Sequence, residues 1–254
     1  MHDLPHQRMA IENAILSALP PNEFDFLVAR LEPVSFSAGT IIAYAGDALR
    51  KCYFPSSGMV SLLSVTEQGK AVEVGYTGFE GMVGLPVVLG KNEMPYQALI
   101  QAASDGFSVE AEVVHELFRS QGIFHDAVLR YIHFMLLQIS QTAVCNHFHT
   151  IEARLCRWLT VMCERSGHMN LTLTQEFLAH MLGVQRTSIG MIANSMQNRG
   201  IIRYRRGRVE VLDFERLQNA ACECYFVVKN AQAECLNEKS FHRMSEPRQT
   251  QRLI

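Results

Sequence analysis

The run from Thr174 to Gly200, TQEFLAHMLGVQRTSIGMIANSMQNRG, has the spacing of two short helices joined by a tight turn. Thr174 can cap the first helix with its hydroxyl group. Apolar residues recur along that helix at three- and four-residue intervals, namely Leu178, Ala179 and Leu182. Gly183 then ends it, because glycine readily takes the left-handed conformation that a tight turn after a helix requires. The pattern predicts a helix-turn-helix.

The predicted second helix has two faces of different polarity. Its apolar stripe comprises Ile189, Ile192, Ala193 and Met196. The opposite side carries Gln185, Arg186, Thr187, Met191 and Asn194. Arg and Asn make bidentate hydrogen bonds to guanine and adenine edges, whereas Thr and Met can contact a thymine methyl group. Two core helices joined by a glycine turn would show the same apolar spacing, but the polar outward set favours a major groove of DNA.

The next segment, IIRYRRGRVEVLD, alternates apolar and polar residues on either side of Arg206-Gly207, which predicts a hairpin with a two-residue turn. A basic hairpin directly after a helix-turn-helix is expected to act as a wing that contacts phosphates, although a solvated charged hairpin would have the same composition. The predicted phosphate contacts are Thr174, Ser188, Arg199, Arg203, Arg205, Arg206 and Arg208.

Charge is distributed unevenly, although the formal net charge of the whole chain is only -2. Residues 151–212 hold nine Arg against four Glu, whereas residues 1–150 hold eight basic and fifteen acidic groups. A basic module therefore follows an acidic one, as expected when one domain binds DNA and another does a different job.

The composition and the termini predict a cytoplasmic protein of two modest domains. At 254 residues each domain can bury its own core. No segment has the ~20 continuous apolar residues of a membrane span, and the start lacks the pattern of a secretory signal. Seven cysteines without disulfide-framework spacing fit a reducing compartment. No catalytic set is evident, so the protein is not expected to be an enzyme.

The first two thirds of the chain predict helices followed by short strands. Residues 8–31 contain two helical patterns broken at Pro20-Pro21, with Asn22 as the expected cap of the second. From Val34 onward, short apolar runs punctuated by glycines predict an antiparallel jelly roll. The clearest hairpin has one strand at residues 59–65, a turn at 67–69 and a return strand at 71–76.

A short helix is predicted at residues 111–118, followed by the longest helical pattern of the chain, at 125–150. Within it, apolar residues follow the alternating steps of a two-stranded coiled coil: Leu129, Ile132, Leu136, Ile139 and Ala143. An ordinary core helix would show the same stripe. A dimer helix is favoured because helix-turn-helix modules usually bind paired half-sites.

These parts resemble the Crp/Fnr family of bacterial transcription regulators, most closely in LTQEFLAHMLGVQRTSIGMIANSMQNRGIIRYRRGRVEVLD, in IEARLCRWLTVMC and in YFPSSGMVSLL. The resemblance implies an α+β fold with a cyclic-nucleotide-binding-like β-roll, a long dimerisation helix and a winged helix-turn-helix. The expected divisions are residues 1–123, 124–150 and 151–213, with a helix and mobile tail at 214–254. It also implies a homodimer that binds double-stranded DNA at an inverted repeat and contacts RNA polymerase.

The segment that would match the family's cyclic-AMP phosphate cassette departs from the family pattern. Gly84 is retained, but Leu85 stands where the family has the Glu that takes a ribose hydroxyl. Tyr96 and Gln97 stand near the family's Arg-Ser pair, and no Arg lies between Lys51 and Arg119. Cyclic-AMP binding is therefore not expected, and the effector, if any, is unknown.

No cofactor or metal is predicted. The iron-sulfur members carry amino-terminal cysteines, whereas none precedes Cys52 here. Cys145 and His149 share a helix face, while His147 points away, and no second cluster with ligand spacing is evident. Cys222 and Cys224 are expected to diverge on one helix.

The recognition helix departs from the best-known family members at Thr187 and Met191. These two residues predict an operator that differs from the usual family sequence.

The predicted function is that of a dimeric, sequence-specific DNA-binding regulator. The alternative is a ligand- or redox-sensing module that acts through protein partners and uses a degenerate helix-turn-helix as a docking surface. A steep salt dependence of DNA binding would distinguish the first hypothesis from the second.

Overall fold

Two short helices precede the first strand in the computed structural model, which describes residues 12–237. They are α1 (Ala14–Ser17) and α2 (Pro21–Val28). Asn13 caps α1, since its carboxamide oxygen accepts from the amides of Ile15 and Leu16. The prediction that Asn22 caps α2 is wrong. The helix begins at Pro21, because the fixed φ of proline suits the first helical position, and Asn22 therefore lies inside the first turn. The start of the first predicted helix lies outside the described residues.

Seven antiparallel strands follow and form a roll of two sheets. Their bounds are β1 (Glu32–Phe36), β2 (Ile41–Ala43), β3 (Lys51–Pro55), β4 (Met59–Val65), β5 (Ala71–Thr77), β6 (Gln97–Ala102) and β7 (Ser104–Glu110). One sheet has the order β1-β7-β3 and the other β2-β6-β4-β5. The predicted hairpin is confirmed, because β4 pairs with β5 from Val60 opposite Thr77 to Val65 opposite Ala71.

Two helices leave the roll, α3 (Ala111–Arg119) and α4 (Ile123–Phe148). The inner face of α4 is buried and includes Phe124, Val128, Tyr131, Phe134 and Met135. Its first turn has no local side-chain cap; the Glu23 carboxylate in α2 instead accepts from the amides of Ile123 and Phe124 at 2.9 and 2.7 Å. This cap joins residues about 100 apart in the chain, so local sequence patterns do not reveal it.

The remaining elements form the winged helix and its continuation. They are α5 (Ile151–Ser166), β8 (Asn170–Thr172), α6 (Gln175–Leu182), α7 (Arg186–Asn198), β9 (Ile202–Arg205), β10 (Arg208–Val211), α8 (Phe214–Asn219) and α9 (Cys224–Leu236). The small sheet has the order β8-β10-β9, so the predicted two-stranded wing has a third strand that sequence periodicity missed. Residues 239–254, predicted to be a mobile tail, lie outside the described part of the chain.

Candidate nucleic-acid interface

The predicted helix-turn-helix is present with its local determinants in place. The Thr174 side chain accepts a hydrogen bond from the Phe177 amide at the start of α6. Gly183 ends α6 with φ 62°, the left-handed conformation that glycine adopts at little cost. The Val184 amide then donates to the Ala179 carbonyl at 2.9 Å, and the small Ala179 side chain is buried where the helices meet. The turn is therefore held by backbone bonds and close packing.

The faces of α7 separate as its periodicity predicts. Ile189, Ala193 and Met196 are buried, and Ile192 is half-buried against the core. The predicted base-reading residues are all exposed: Gln185, Arg186, Thr187, Met191 and Asn194. Met191 leaves 67% of its surface open to solvent. The outward side of α7 is thus available to a groove.

The tip of the wing is a turn in which both central residues have positive φ. Arg206 has φ 50° and Gly207 φ 74°, the combination of a type I′ turn. Such a turn matches the twist of the strands, and β9 and β10 pair around it with Arg205 opposite Arg208. Three exposed guanidinium groups, those of Arg205, Arg206 and Arg208, therefore cluster at one end of the hairpin.

Two of the predicted phosphate contacts are engaged within the protein. The Arg203 guanidinium pairs with Glu210 on the neighbouring strand at 2.6 Å, and Arg199 pairs with Glu152 on α5. Among the described residues, no ion pair is made by Arg186, Arg205, Arg206 or Arg208. These four arginines therefore present positive charge without an ion pair in this part of the structure. The two other predicted phosphate contacts are Thr174, which caps α6, and Ser188 on α7.

The excess of Arg over Glu in residues 151–212 overstates the positive charge of the surface formed by α7 and the wing. Arg154 and Arg157 are buried in α5, and the Arg165 side chain is 9% exposed. Arg154 donates to the Leu182 carbonyl, and Arg165 bonds Glu80 of the roll at 2.6 Å. A charge count along the chain cannot separate these internal cations from groove-facing ones, because the difference is set by tertiary packing.

A second buried polar contact, besides the Arg165–Glu80 pair, joins helix α5 to the roll. The Glu73 carboxylate on β5 accepts from the Ser61 hydroxyl at 2.6 Å and from the Trp158 indole N–H at 3.2 Å. Burial raises the pKa of Glu73, while the two hydrogen bonds and the Arg157 charge act in the opposite direction. Local sequence patterns do not reveal this contact, because the partners on α5 and β5 are 85 residues apart.

The raised pKa of Glu73 predicts a specific pH dependence of stability. A carboxyl group whose pKa lies higher in the folded than in the unfolded protein stabilises the fold more when it is protonated. The free energy of unfolding of the wild type, relative to Glu73→Gln, should therefore fall as the pH rises from about 4.5 through the raised pKa. Urea unfolding monitored through the single tryptophan, Trp158, measures both variants. A difference that is constant across pH would show that the Glu73 pKa is unshifted.

The residues that match the family's phosphate cassette lie between the end of β5 and the start of β6. Gly84 has φ 115°, and a β-carbon there would stand 2.7 Å from the Cys52 sulfur, so both conformation and space require glycine. Leu85 is buried in a 3₁₀ turn, whereas Tyr96 and Gln97 are half-buried. Burial also raises the pKa of Tyr96, which keeps its hydroxyl neutral. These neutral side chains provide no positive charge for a nucleotide phosphate.

One sequence-based expectation about the cysteines is wrong. Cys222 and Cys224 do not lie on a continuous helix, because α8 ends at Asn219 and α9 begins at Cys224. The break turns both thiols toward the end of α4, beside Cys145 and His149. The fold therefore brings a second pair of potential metal ligands, Cys222 and Cys224, next to Cys145 and His149, although the sequence did not reveal it.

A β-roll followed by a winged helix-turn-helix with an exposed polar face on α7 is the architecture of a class of DNA-binding regulators. The cyclic nucleotide-binding domain model matches residues 33–121, and the Crp-like helix-turn-helix domain model matches residues 153–220. The chain belongs to the Crp/Fnr family of transcriptional regulators. It is accordingly a DNA-binding transcription regulator. Among the described residues, no helix is long and apolar enough to cross a membrane.

Similar proteins span nearly the same length. The chain is 21% identical over 214 residues to the CRP-like cAMP-activated global transcriptional regulator of Mycobacterium tuberculosis, covering 82% of this chain and 96% of that protein. It is 22% identical over 191 residues to the cAMP-activated global transcriptional regulator Vfr of Pseudomonas aeruginosa, and the match covers 70% of this chain and 88% of that protein. A Crp/Fnr family regulator of Eubacterium rectale has a similar fold, with a TM-score of 0.66 at 17% identity, covering 80% and 95%.

Proposed function

We propose that the protein is a homodimer that binds an inverted-repeat operator through two copies of α7. The observation that carries this proposal is an exposed apolar stripe on α4, which lies beside the face that packs on the roll. The predicted seam lies there: Leu129, Leu136, Ile139 and Ala143 are exposed, and Ile132 is half-buried. A core helix would bury this stripe.

Within each half-site, α7 provides the base contacts and the wing provides phosphate contacts. Arg186, at the first position of α7, is placed where recognition helices contact base edges, and its fork suits guanine. Met191 and Thr187 supply apolar contacts for thymine methyl groups. Arg205, Arg206 and Arg208 neutralise phosphates beside the groove, while Arg199 and Arg203 would first have to leave Glu152 and Glu210.

Substitution of Arg186 and Arg206 should have different effects on DNA binding. Arg186→Ala is expected to cost about 1–3 kcal/mol and to relax specificity at one operator position. Arg206→Asn, which suits the positive φ of the turn, should weaken all sequences similarly and reduce the salt slope by about 1. Fluorescence anisotropy with an operator selected from genomic DNA, measured at several salt concentrations, gives both quantities.

Arg203→Ala is the matched control for the wing, since the Arg203 charge is already paired with Glu210. It should change the salt slope less than Arg206→Asn. If Arg186→Ala and Arg206→Asn both left operator affinity unchanged, the proposed DNA-binding surface would be incorrect.

We also propose that cyclic AMP is not the effector, although the named relatives are cAMP-activated. A cyclic nucleotide would have to bury its phosphate charge beside Leu85, Tyr96 and Gln97, without the cationic partner that compensates such a charge. Isothermal titration calorimetry should therefore detect no tight binding of cyclic AMP. A micromolar dissociation constant would contradict this expectation.

Two buried contacts between the roll and α5 would couple effector binding in the roll to the DNA-binding unit. Glu73 with Trp158, and Glu80 with Arg165, join the roll to α5 through buried polar contacts. An effector that binds differently to two arrangements of these contacts would shift the separation of the paired α7 helices and change operator affinity. Contact with RNA polymerase would then convert occupancy of the operator into a change in transcription.

A further inference from the structure

Four potential metal ligands converge where the carboxyl end of α4 meets the start of α9. They are Cys145, His149, Cys222 and Cys224, and their ligand atoms all lie within 4.8 Å of one another. The Cys145 and Cys222 sulfurs are 3.5 Å apart, and the Cys224 sulfur is 3.4 Å from His149 Nδ1. In a tetrahedron with the bond lengths of zinc to sulfur and nitrogen, neighbouring ligand atoms lie about 3.5–3.8 Å apart. The Cys145–Cys222 and Cys224–His149 distances are close to these values, and the other ligand atoms lie within 4.8 Å of one another.

The imidazole of His149 is oriented for ligation through Nδ1. Its Nε2 lies 3.0 Å from a carboxylate oxygen of Glu223. A carboxylate accepts only, so in the neutral ring Nε2 carries the proton, and the Nδ1 lone pair is then directed toward the Cys224 sulfur. This carboxylate–imidazole pair is the outer-sphere arrangement that fixes the tautomer of metal-binding histidines.

The surroundings of the thiols suit an anionic centre. The carboxamide N–H of Gln141 donates to the Cys224 sulfur at 3.1 Å. Arg157 is buried and interacts electrostatically with Cys145 and Cys222. Its Nε, and that of Arg154, has no hydrogen-bond acceptor among the described residues. Three thiolates and a neutral imidazole around a divalent cation would leave one negative charge, which such a guanidinium group balances.

We propose that these residues form a tetrahedral Cys₃His site for a divalent, thiolate-preferring metal ion of the zinc class. Four protein ligands close the coordination sphere, as in structural rather than catalytic zinc sites. Binding would displace the remaining thiol protons to solvent. A simple disulfide between Cys145 and Cys222 would account for neither the inward position of Cys224 nor the Glu223 contact of His149.

The position of the site indicates what the metal would stabilise. His149 follows the last residue of α4, and Thr150 caps α5 through the Ala153 amide, so this pair of residues connects the long helix to the winged helix. The cysteines Cys222 and Cys224 come from the segment beyond the wing. A bound ion would therefore cross-link two segments at the junction, the end of α4 and the start of α9, and restrict the angle between α4 and the DNA-binding unit.

The test measures metal content and affinity of the full chain purified under reducing conditions. The wild type is expected to contain about one zinc ion per chain by elemental mass spectrometry. Cys145→Ser and Cys222→Ser should lose it, whereas Cys163→Ser and Cys235→Ser, which change cysteines outside the cluster, should retain it. Cobalt substituted into the wild type should give the visible absorption bands of tetrahedral thiolate ligation.

Glu223→Gln keeps the test informative even if the ligand variants fail to fold. Glu223 is exposed, and its replacement should lower zinc affinity about 10-fold in competition with a chromophoric chelator, because only the orientation of His149 is affected. Three results would overturn the proposal: zinc affinity of reconstituted wild type equal to that of Cys145→Ser, iron with acid-labile sulfide in place of zinc, or a metal-free Cys145–Cys222 disulfide.

Discussion

Leu136→Glu is expected to convert the protein to a monomer and to lower operator affinity by about 100-fold or more. Leu136 lies in the middle of the exposed seam of α4, with 61% of its surface accessible in the isolated chain. Two glutamates facing each other across a two-fold axis would have to be desolvated together, and like charges at such a contact are destabilising. Without the dimer, the second half-site no longer binds at high effective concentration.

Leu89→Glu is the matched control, because Leu89 is also 61% exposed but lies on the roll, away from the seam. It should leave the mass in sedimentation velocity and the operator affinity unchanged. A dimer that persists in Leu136→Glu, with normal affinity for the inverted repeat, would contradict the assignment of α4 as the dimer helix.

Arg165→Ala is expected to lower the free energy of unfolding by about 3–5 kcal/mol, because it leaves the Glu80 carboxylate buried and without its cation. The Glu80 side chain is fully buried, and it also accepts a hydrogen bond from the Gly78 amide at 3.1 Å. Arg165 also lies over the rings of Tyr76 and Phe79, so its removal leaves a gap between the roll and α5. Chemical denaturation measures the loss.

Two further variants separate the cost of an unpaired charge from the loss of packing. The double variant Glu80→Leu, Arg165→Met removes both charges and should recover most of the stability. Arg203→Ala breaks an exposed ion pair and should cost under about 1 kcal/mol. If Arg165→Ala were as mild as Arg203→Ala, the buried pair would not hold the roll to α5.

Features that depend on neighbouring residues were predictable from the sequence. The helix-turn-helix follows from Thr174, Gly183 and a three- and four-residue apolar repeat, and all of these have the predicted conformations. The wing turn follows from Arg206-Gly207 between alternating strands. The first strand of the hairpin, β4, has the predicted ends, and a short turn joins it to β5.

Features that join distant segments were not predictable in this way. Glu23 caps α4 and Glu73 accepts from Trp158, and neither pairing leaves a periodic signal in the chain. Strand β8 has three residues and is held as a strand by pairing with β10. The Arg residues of α5 look identical in sequence to those of the wing, yet burial separates the two sets.

The sequence by itself determined the elements, the turn conformations and the outward face of α7, because these depend on interactions within a few residues. The tertiary structure decided which charges face solvent, which acid anchors α5, and that two cysteine-containing segments 77 residues apart meet at the end of α4. Burial and long-range contact depend on which surfaces pack together, and packing is settled only when the whole chain has excluded water from its core.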